Sequence, residues 1–291
     1  MPVDIEEALK KATAMLAFAA VSTPLLDAQV LLCHVLQVDR FYLYAHPERV
    51  LMPEEERRYF ELIQKRAEGM PVQYLVLNQE FMGLDFYVEE GVLIPRADTE
   101  ILVEAVIQYF QERKRIFAPV IADLGSGSGA IAVSLASRIS RAFLYAVDIS
   151  EKALQISKAN AERHGVSDRM RFLRGDLFEP LKAEGLEGKL DALVSNPPYI
   201  PRGEIDNLQK EVALYEPRLA LDGGEDGLDF YRRIIADAPL FLKEGGLLAL
   251  EVGYDQAQPV NQMLKEKGCF QKIEIKKDLS GIDRVVTALR A

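Results

Sequence analysis

Val120-Ile-Ala-Asp-Leu-Gly-Ser-Gly-Ser-Gly-Ala-Ile-Ala132 decides the fold. Its first five residues are a short apolar run of strand length, and its last three open an apolar helical stretch. Between them, Gly125, Gly127 and Gly129 let the backbone turn sharply and come close to a ligand. The same alternation continues downstream. Phe143–Asp148 reads as a second strand and Glu151–His164 as a second helix, and Arg171–Leu173, Ala192–Ser195 and Leu247–Val252 supply further strands. Upstream, a helix is expected over Asp98–Gln111. Near-continuous apolar strands separated by helices predict an α/β, Rossmann-like domain, a mostly parallel sheet with helices on both faces. Phe270–Lys276 and Arg284–Leu289 are expected to close it as a hairpin.

The glycine turn taken alone is ambiguous. Gly125-x-Gly127-x-x-Ala130 fits the dinucleotide fingerprint, with Asp148 about 20 residues further on as a ribose ligand. Asp123, just before the glycines, argues for another cofactor. A carboxylate facing the phosphates of a dinucleotide is unfavourable, whereas it suits the ammonium and sulfonium end of S-adenosylmethionine. Asp148 can accept both ribose hydroxyls. Asp176, in Gly175-Asp-Leu-Phe178, follows the third strand and can accept from an exocyclic adenine amine. One such Asp is ordinary turn or cap chemistry. Three at the carboxyl ends of successive strands line the crevice where open parallel sheets bind ligands.

The motif that sets the chemistry is Asn196-Pro197-Pro198-Tyr199, after the strand Ala192–Ser195. Its prolines fix their own φ and remove two backbone donors. The Asn196 side-chain oxygen and the Pro197 carbonyl can then both accept from one planar –NH₂, of an amide or an aromatic amine. Such a nitrogen is a poor nucleophile because its lone pair is delocalised. Holding both N–H bonds raises its electron density and aims it at a methyl donor. Tyr199 can cover the amino group and the sulfonium with its π face. The plain alternative is a rigid turn.

Composition narrows the class. Of 291 residues 49% are hydrophobic and 27% charged, an ordinary balance for a globular protein. The net charge of −10 argues against binding nucleic acid through its phosphates. Cys33 and Cys269 are far apart, and His34, His46 and His164 form no pair at metal-ligand spacing, so neither a disulfide framework nor a metal site is expected. No apolar run has the length of a membrane span, and the acidic N-terminus lacks a signal-peptide core. A cytoplasmic location is expected; the sequence does not fix the oligomeric state, and a monomer is favoured.

Residues 1–70 differ from the rest. Ile5, Leu9, Ala12, Leu16 and Ala19 recur at helical spacing, Thr23-Pro24 reads as a cap and first turn, and Pro53 with Glu54, Glu55 and Glu56 opens another helix. A small helical bundle is expected. Over 71–95, Tyr74–Val76, Phe81, Leu84, Phe86 and Val88 suggest a hairpin linker turning near Met82-Gly83. The α/β domain is then 96–291. The aromatic residues of 81–87 are read as packing, and Cys33 and His34 as core.

Further segments join these: Pro71–Leu75, Glu80–Leu84, Val92-Leu-Ile-Pro-Arg-Ala-Asp-Thr-Glu100, Gly175–Leu181, Glu216–Leu221, Gly224-Glu-Asp-Gly-Leu-Asp-Phe-Tyr-Arg232, Glu251–Gln256 and Asp278–Val286. In order and spacing they resemble the HemK/PrmC family of protein-(glutamine-N5) methyltransferases. The resemblance implies methylation, with S-adenosylmethionine, of the glutamine in the Gly-Gly-Gln loop of peptide chain release factors during translation termination. It assigns Gly125, Ser126, Gly127, Ser128, Gly129 and Asp148 to the cofactor, and Leu177 to packing on the adenine. Asn196, Pro197, Pro198 and Tyr199 hold the substrate glutamine, and Asn196 also borders the cofactor. Leu77 stands where the family usually has Gly, Ala97 where it often has Pro, and Met82 replaces a common aromatic. The rival readings are an adenine-N6 DNA or RNA methyltransferase, a ribosomal-protein glutamine methyltransferase and a nicotinamide-dependent oxidoreductase. The last has no use for Asn-Pro-Pro-Tyr.

Overall fold

The computed structural model describes residues 3–113 and 115–291; Met1 and Pro2, part of the stretch read for a leader, and Lys114 lie outside them. The chain divides into two units, residues 1–78 with 209–215, and residues 79–208 with 216–291.

The first unit is helical: α1 Ile5–Phe18, α2 Pro24–Leu36, α3 Arg40–Ala45, α4 Pro53–Ala67 and α5 Val72–Val76. Asp4 and Asp39 cap α1 and α3, accepting from the amides of Glu7 and Tyr42. Ile5, Ala8, Ala12 and Leu16 of α1 pack with Leu31 and Leu32 of α2 and Tyr59 and Ile63 of α4 in one apolar core. Cys33 and His34 sit at the margin of that core, half-buried. Thr23 does not cap α2 with its side chain; its hydroxyl donates to Asp27 at 2.8 Å instead. Asp27 is buried because it pairs with Arg66, Nε to Oδ2 2.6 Å.

Two expectations for this region need correction. Tyr74, Leu75 and Val76 lie in α5, not in a strand. Pro71 precedes that helix, and Leu77 ends it in the left-handed conformation, φ 56°. A side chain is strained there, which gives a reason for glycine at this position in the family. The helical unit accordingly runs to Asn78, not to residue 70.

The second unit begins with the hairpin β1 Gln79–Phe81 and β2 Leu84–Phe86. Met82 and Gly83 both have positive φ, as a two-residue turn of this kind requires. Phe81 and Phe86 are buried and meet edge to face, centroids 6.0 Å apart. There follow a 3₁₀ turn Ala97–Thr99, α6 Glu100–Glu112, β3 Val120–Leu124, α7 Ala130–Arg138, β4 Phe143–Asp148, α8 Glu151–Arg163, β5 Met170–Arg174, α9 Glu179–Ala183 and β6 Leu190–Ser195. The helix α10, Lys210–Tyr215, belongs to the first unit. The chain then returns through α11 Asp229–Phe241, β7 Leu242–Glu251, α12 Ala257–Lys267, β8 Phe270–Lys277 and β9 Asp283–Arg290.

Among the described residues these strands form a seven-stranded sheet in the order β5-β4-β3-β6-β7-β9-β8. The pairs from β5 to β7 are parallel, and β9 runs antiparallel to both β7 and β8. The order reverses at β3. Right-handed crossovers therefore put the helices after β3 and β4 on one face and α11, after β6, on the other. Tyr231, Ile234 and Ala238 of α11 share a core with Val260 and Leu264 of α12 and with Leu124, Leu193, Leu248 and Leu250 of the sheet. The reversal leaves a crevice beyond the carboxyl ends of β3 and β6, and the binding residues expected from the sequence lie at or just past the carboxyl ends of β3, β4, β5 and β6. No helix among the described residues is long and apolar enough to cross a membrane.

Candidate functional site

Asp123 is 0% exposed near the end of β3, and neither of its carboxylate oxygens makes a hydrogen bond among the described residues. Burial pushes its carboxyl up to about 7, and the Asp148 charge pushes the same way against the pull of the Ala132 amide. The glycine turn begins after Leu124. Gly125 and Ser126 both donate backbone N–H groups to the Val147 carbonyl, each at 2.9 Å, tying the turn to β4. All three glycines have positive φ. A Cβ on Gly129 would lie 2.3 Å from Ser157 Oγ, so Gly129 serves the packing of α7 on α8. A Cβ on Gly125 or Gly127 would meet nothing within 4 Å. Their missing side chains leave open space beside the buried Ser126, whose hydroxyl also lacks a partner among the described residues. The Ser128 carbonyl accepts from the buried Asn160 amide at 2.9 Å, which fixes the last part of the turn.

Asp148 ends β4. Its Oδ2 accepts from the Gly127 amide and its Oδ1 from the Ser150 amide, both at 2.8 Å. Burial raises its carboxyl, and these amides lower it. Each oxygen keeps acceptor capacity for a ligand hydroxyl. Asp176, past β5, is turned differently: Arg233 donates to its Oδ2 at 2.6 Å. That ion pair occupies one oxygen of the residue assigned from sequence to an adenine amine. Beside it Leu177 is buried in the left-handed region, φ 48°, a strained conformation for a leucine.

Asn196 follows β6. Its Nδ2 donates to Thr99 Oγ1 at 3.2 Å. Pro197 is buried, and Pro198 and Tyr199 are half-buried. Glycines crowd the Tyr199 backbone: a Cβ on Gly223 would lie 2.7 Å from its Cα, and one on Gly227 2.4 Å from its carbonyl oxygen. Gln256 donates to that carbonyl at 2.8 Å. Burial pushes the Tyr199 phenol up to about 12, so it stays neutral. Glu251, at the end of β7, is 3% exposed, and burial holds its carboxyl up to about 7. Among the described residues no group of three His, Cys, Asp or Glu could hold a metal ion.

Thr99, Glu251, Gln256, Gly223 and Gly227 were not singled out from the sequence. Glu251 carried one signal, an acid ending an apolar strand as Asp148 does. Thr99, Gln256 and Gly227 lie in segments that carry the family resemblance but have no chemical signature of their own, and Gly223 lies outside those segments.

A family model described as the PrmC N-terminal domain matches residues 7–76. One described as the methyltransferase small domain matches residues 97–214. The chain is 46% identical over 286 residues to the release factor glutamine methyltransferase of Moorella thermoacetica, across 98% of each chain. It is 43% identical to that of Clostridium acetobutylicum, again across 98% of each. The chain belongs to the release factor glutamine methyltransferase family. Its relation to that family runs nearly end to end, whereas the second family model stops at Leu214, inside α10. Glu251, Gln256 and Arg284 thus lie beyond both matched segments. Among solved structures, the catalytic domain of hMettl16 in complex with MAT2A 3'UTR hairpin 6 superposes with a TM-score of 0.55. The match covers 82% of this chain and 84% of that one at 16% identity, so the likeness is one of fold.

Proposed function

We infer that this protein transfers a methyl group from S-adenosylmethionine to the side-chain nitrogen of a glutamine in peptide chain release factors, the glutamine of their Gly-Gly-Gln loop. The observation that carries the reading is the Asn196-Pro197-Pro198-Tyr199 turn at the switch point of the sheet, with the nitrogen end of Asn196 already tied to Thr99.

The residues of the crevice suit the cofactor. Asp123 is a buried carboxylate with no hydrogen-bond partner among the described residues, placed to offset a ligand's positive charge. Gly125 and Gly127 leave room for a ligand against the backbone, and Asp148 retains acceptor capacity for ribose hydroxyls. Leu177 offers an apolar surface to the adenine, and Asp176 has one oxygen outside its ion pair for the adenine amine. When bound, S-adenosylmethionine supplies an electrophilic methyl on a sulfonium.

The chain's own residues handle the nucleophile. An amide nitrogen is weakly basic and needs alignment more than deprotonation. The Asn196 oxygen and the Pro197 carbonyl accept its two N–H bonds. The prolines deny those acceptors a competing backbone donor. Gly223, Gly227 and Gln256 hold the Tyr199 backbone, and we assign its ring to covering the amide from one side.

Asn196→Ala tests this. The substitution removes one acceptor and lets the nitrogen rotate out of line. We expect kcat to fall at least ~10²-fold, with a smaller change in cofactor affinity. Asn196→Asp also fails, because its charge is costly to bury. The assay is single-turnover methyl transfer at saturating cofactor, offering whole release factor, an oligonucleotide and ribosomal protein in parallel. Near wild-type transfer to release factor by Asn196→Ala would reduce the turn to a rigid loop. Transfer to the oligonucleotide or ribosomal protein alone would overturn the substrate.

A further inference from the structure

The Asn196 amide can be rotated end for end at almost no steric cost, since its oxygen and nitrogen are similar in size. Only one orientation serves a substrate amide: the oxygen accepts an N–H, while the nitrogen would oppose donor to donor. Something must choose between them.

The surroundings of Asn196 make that choice. Ser195 pairs with Leu250 in the parallel ladder, so Asn196 and Glu251 are the next neighbours across β6 and β7. Thr99, 4% exposed, lies against Asn196. The Thr99 hydroxyl and the Asn196 amide each favour the ionised form of Glu251. An ionised carboxylate only accepts. A Thr99 O–H turned to Glu251, whose Oε2 has no hydrogen-bond partner among the described residues, leaves the hydroxyl's lone pairs to accept. The Asn196 Nδ2 fills that position at 3.2 Å, which turns Oδ1 the other way.

We propose that Glu251 and Thr99 are positioning residues that set the sense of the Asn196 amide, so that its oxygen meets the substrate nitrogen. The proposal rests on the reading in which Asn196 holds the glutamine amide. A wider frame keeps Thr99 in place. Arg284 of β9 pairs with Asp98 at 3.0 Å and with Asp278 at 2.9 Å, which anchors the 97–99 turn beside the end of β7. Four segments far apart in sequence thus converge on one amide.

The groups facing Glu251 are Thr99, Asn196, Asp98 and Arg284, with Tyr199 and Tyr231 nearby. Burial and Asp98 raise its carboxyl, while Thr99, Arg284 and Asn196 lower it, leaving it at about 7. Below that pH a protonated Glu251 can donate to Thr99, and the choice of amide orientation is lost.

The test is single-turnover transfer to release factor at saturating cofactor, first at alkaline pH, where Glu251 is ionised. Thr99→Val keeps the shape and removes the hydroxyl; we expect kcat to fall about 10-fold with KM and cofactor affinity within about 2-fold. Thr99→Ser restores most of the rate. Glu251→Gln, which can donate or accept, lowers kcat about as much and loses the part of the acid-side fall that Glu251 causes. In an Asn196→Ala background Thr99→Val adds nothing, because its effect passes through Asn196. If Thr99→Val and Glu251→Gln turn over at wild-type rate while Asn196→Ala is slow, this proposal fails and the glutamine reading stands. A further loss on top of Asn196→Ala would overturn it too. Wild-type turnover by Asn196→Ala itself would sink the glutamine reading.

Discussion

Asp123 lies fully buried at the end of β3, and burial keeps it protonated up to about pH 7. In an unfolded chain it would lose its proton near the ordinary aspartate value of about 3.8. The sign follows from which state holds the proton. Between these pH values only the folded state binds it, so stability from this group is full at low pH and falls as pH rises to about 7. Asp123→Asn removes that proton while keeping the shape. We expect the variant to gain on the wild type by up to about 1.4 kcal/mol per pH unit below pH 7, levelling off above it. Urea unfolding of both free proteins across pH 5 to 8 measures the gap; parallel curves would show that Asp123 is ionised throughout. The same variant should bind S-adenosylmethionine more weakly, because it offers no charge to the cation. A residue that costs stability when ionised fits a binding site better than a scaffold.

At the scale of an element, the glycine turn divides its labour. Gly127 has φ 53° and open space where a Cβ would go, whereas Gly129 has φ 81° and Ser157 in the way. Gly127→Ala should cost roughly 1 kcal/mol from backbone strain and at least about 10-fold in cofactor affinity, since its methyl occupies ligand space. Gly129→Ala should cost more stability, about 2–3 kcal/mol, because α7 must shift away from α8. Paired urea titrations and calorimetry separate the two effects. Equal losses of stability would mean that the open space beside Gly127 is filled from elsewhere. The α5 helix makes a related point. Five residues are too few to show a period, so Tyr74-Leu75-Val76 reads as strand until Pro71 and the left-handed Leu77 are seen at its ends.

For the whole molecule, the telling feature is that residues 209–215 leave the sheet unit and join the helices. Arg66 is buried between Asp27, at 2.6 Å, and Glu211 of that segment, at 2.8 Å. A buried guanidinium needs both partners, since a charge left unpaired inside a protein is costly. The helical unit contains none of the residues assigned to the cofactor, and we propose that it recognises the protein substrate. A chain starting at Gln79 should therefore keep S-adenosylmethionine binding and lose at least about 10-fold in transfer to whole release factor. Full transfer by that chain would show that the helices have another task.

The sequence by itself determined the α/β alternation, the glycine turn, the acids Asp123 and Asp148 at strand ends, and the Asn-Pro-Pro-Tyr turn. These are local: strand and helix periods, and the φ limits of glycine and proline, are written in neighbouring residues. The tertiary structure alone decided what meets what. Asn196 meets Thr99 from 97 positions away, and Asp176 meets Arg233 from 57. It also decided that Glu251 lies beside Asn196, and that Glu211 completes the pairing of Arg66. Such contacts depend on which strands become neighbours and on where a connection is carried. Periodicity shows which face of a strand is buried, but not which strand lies beside it.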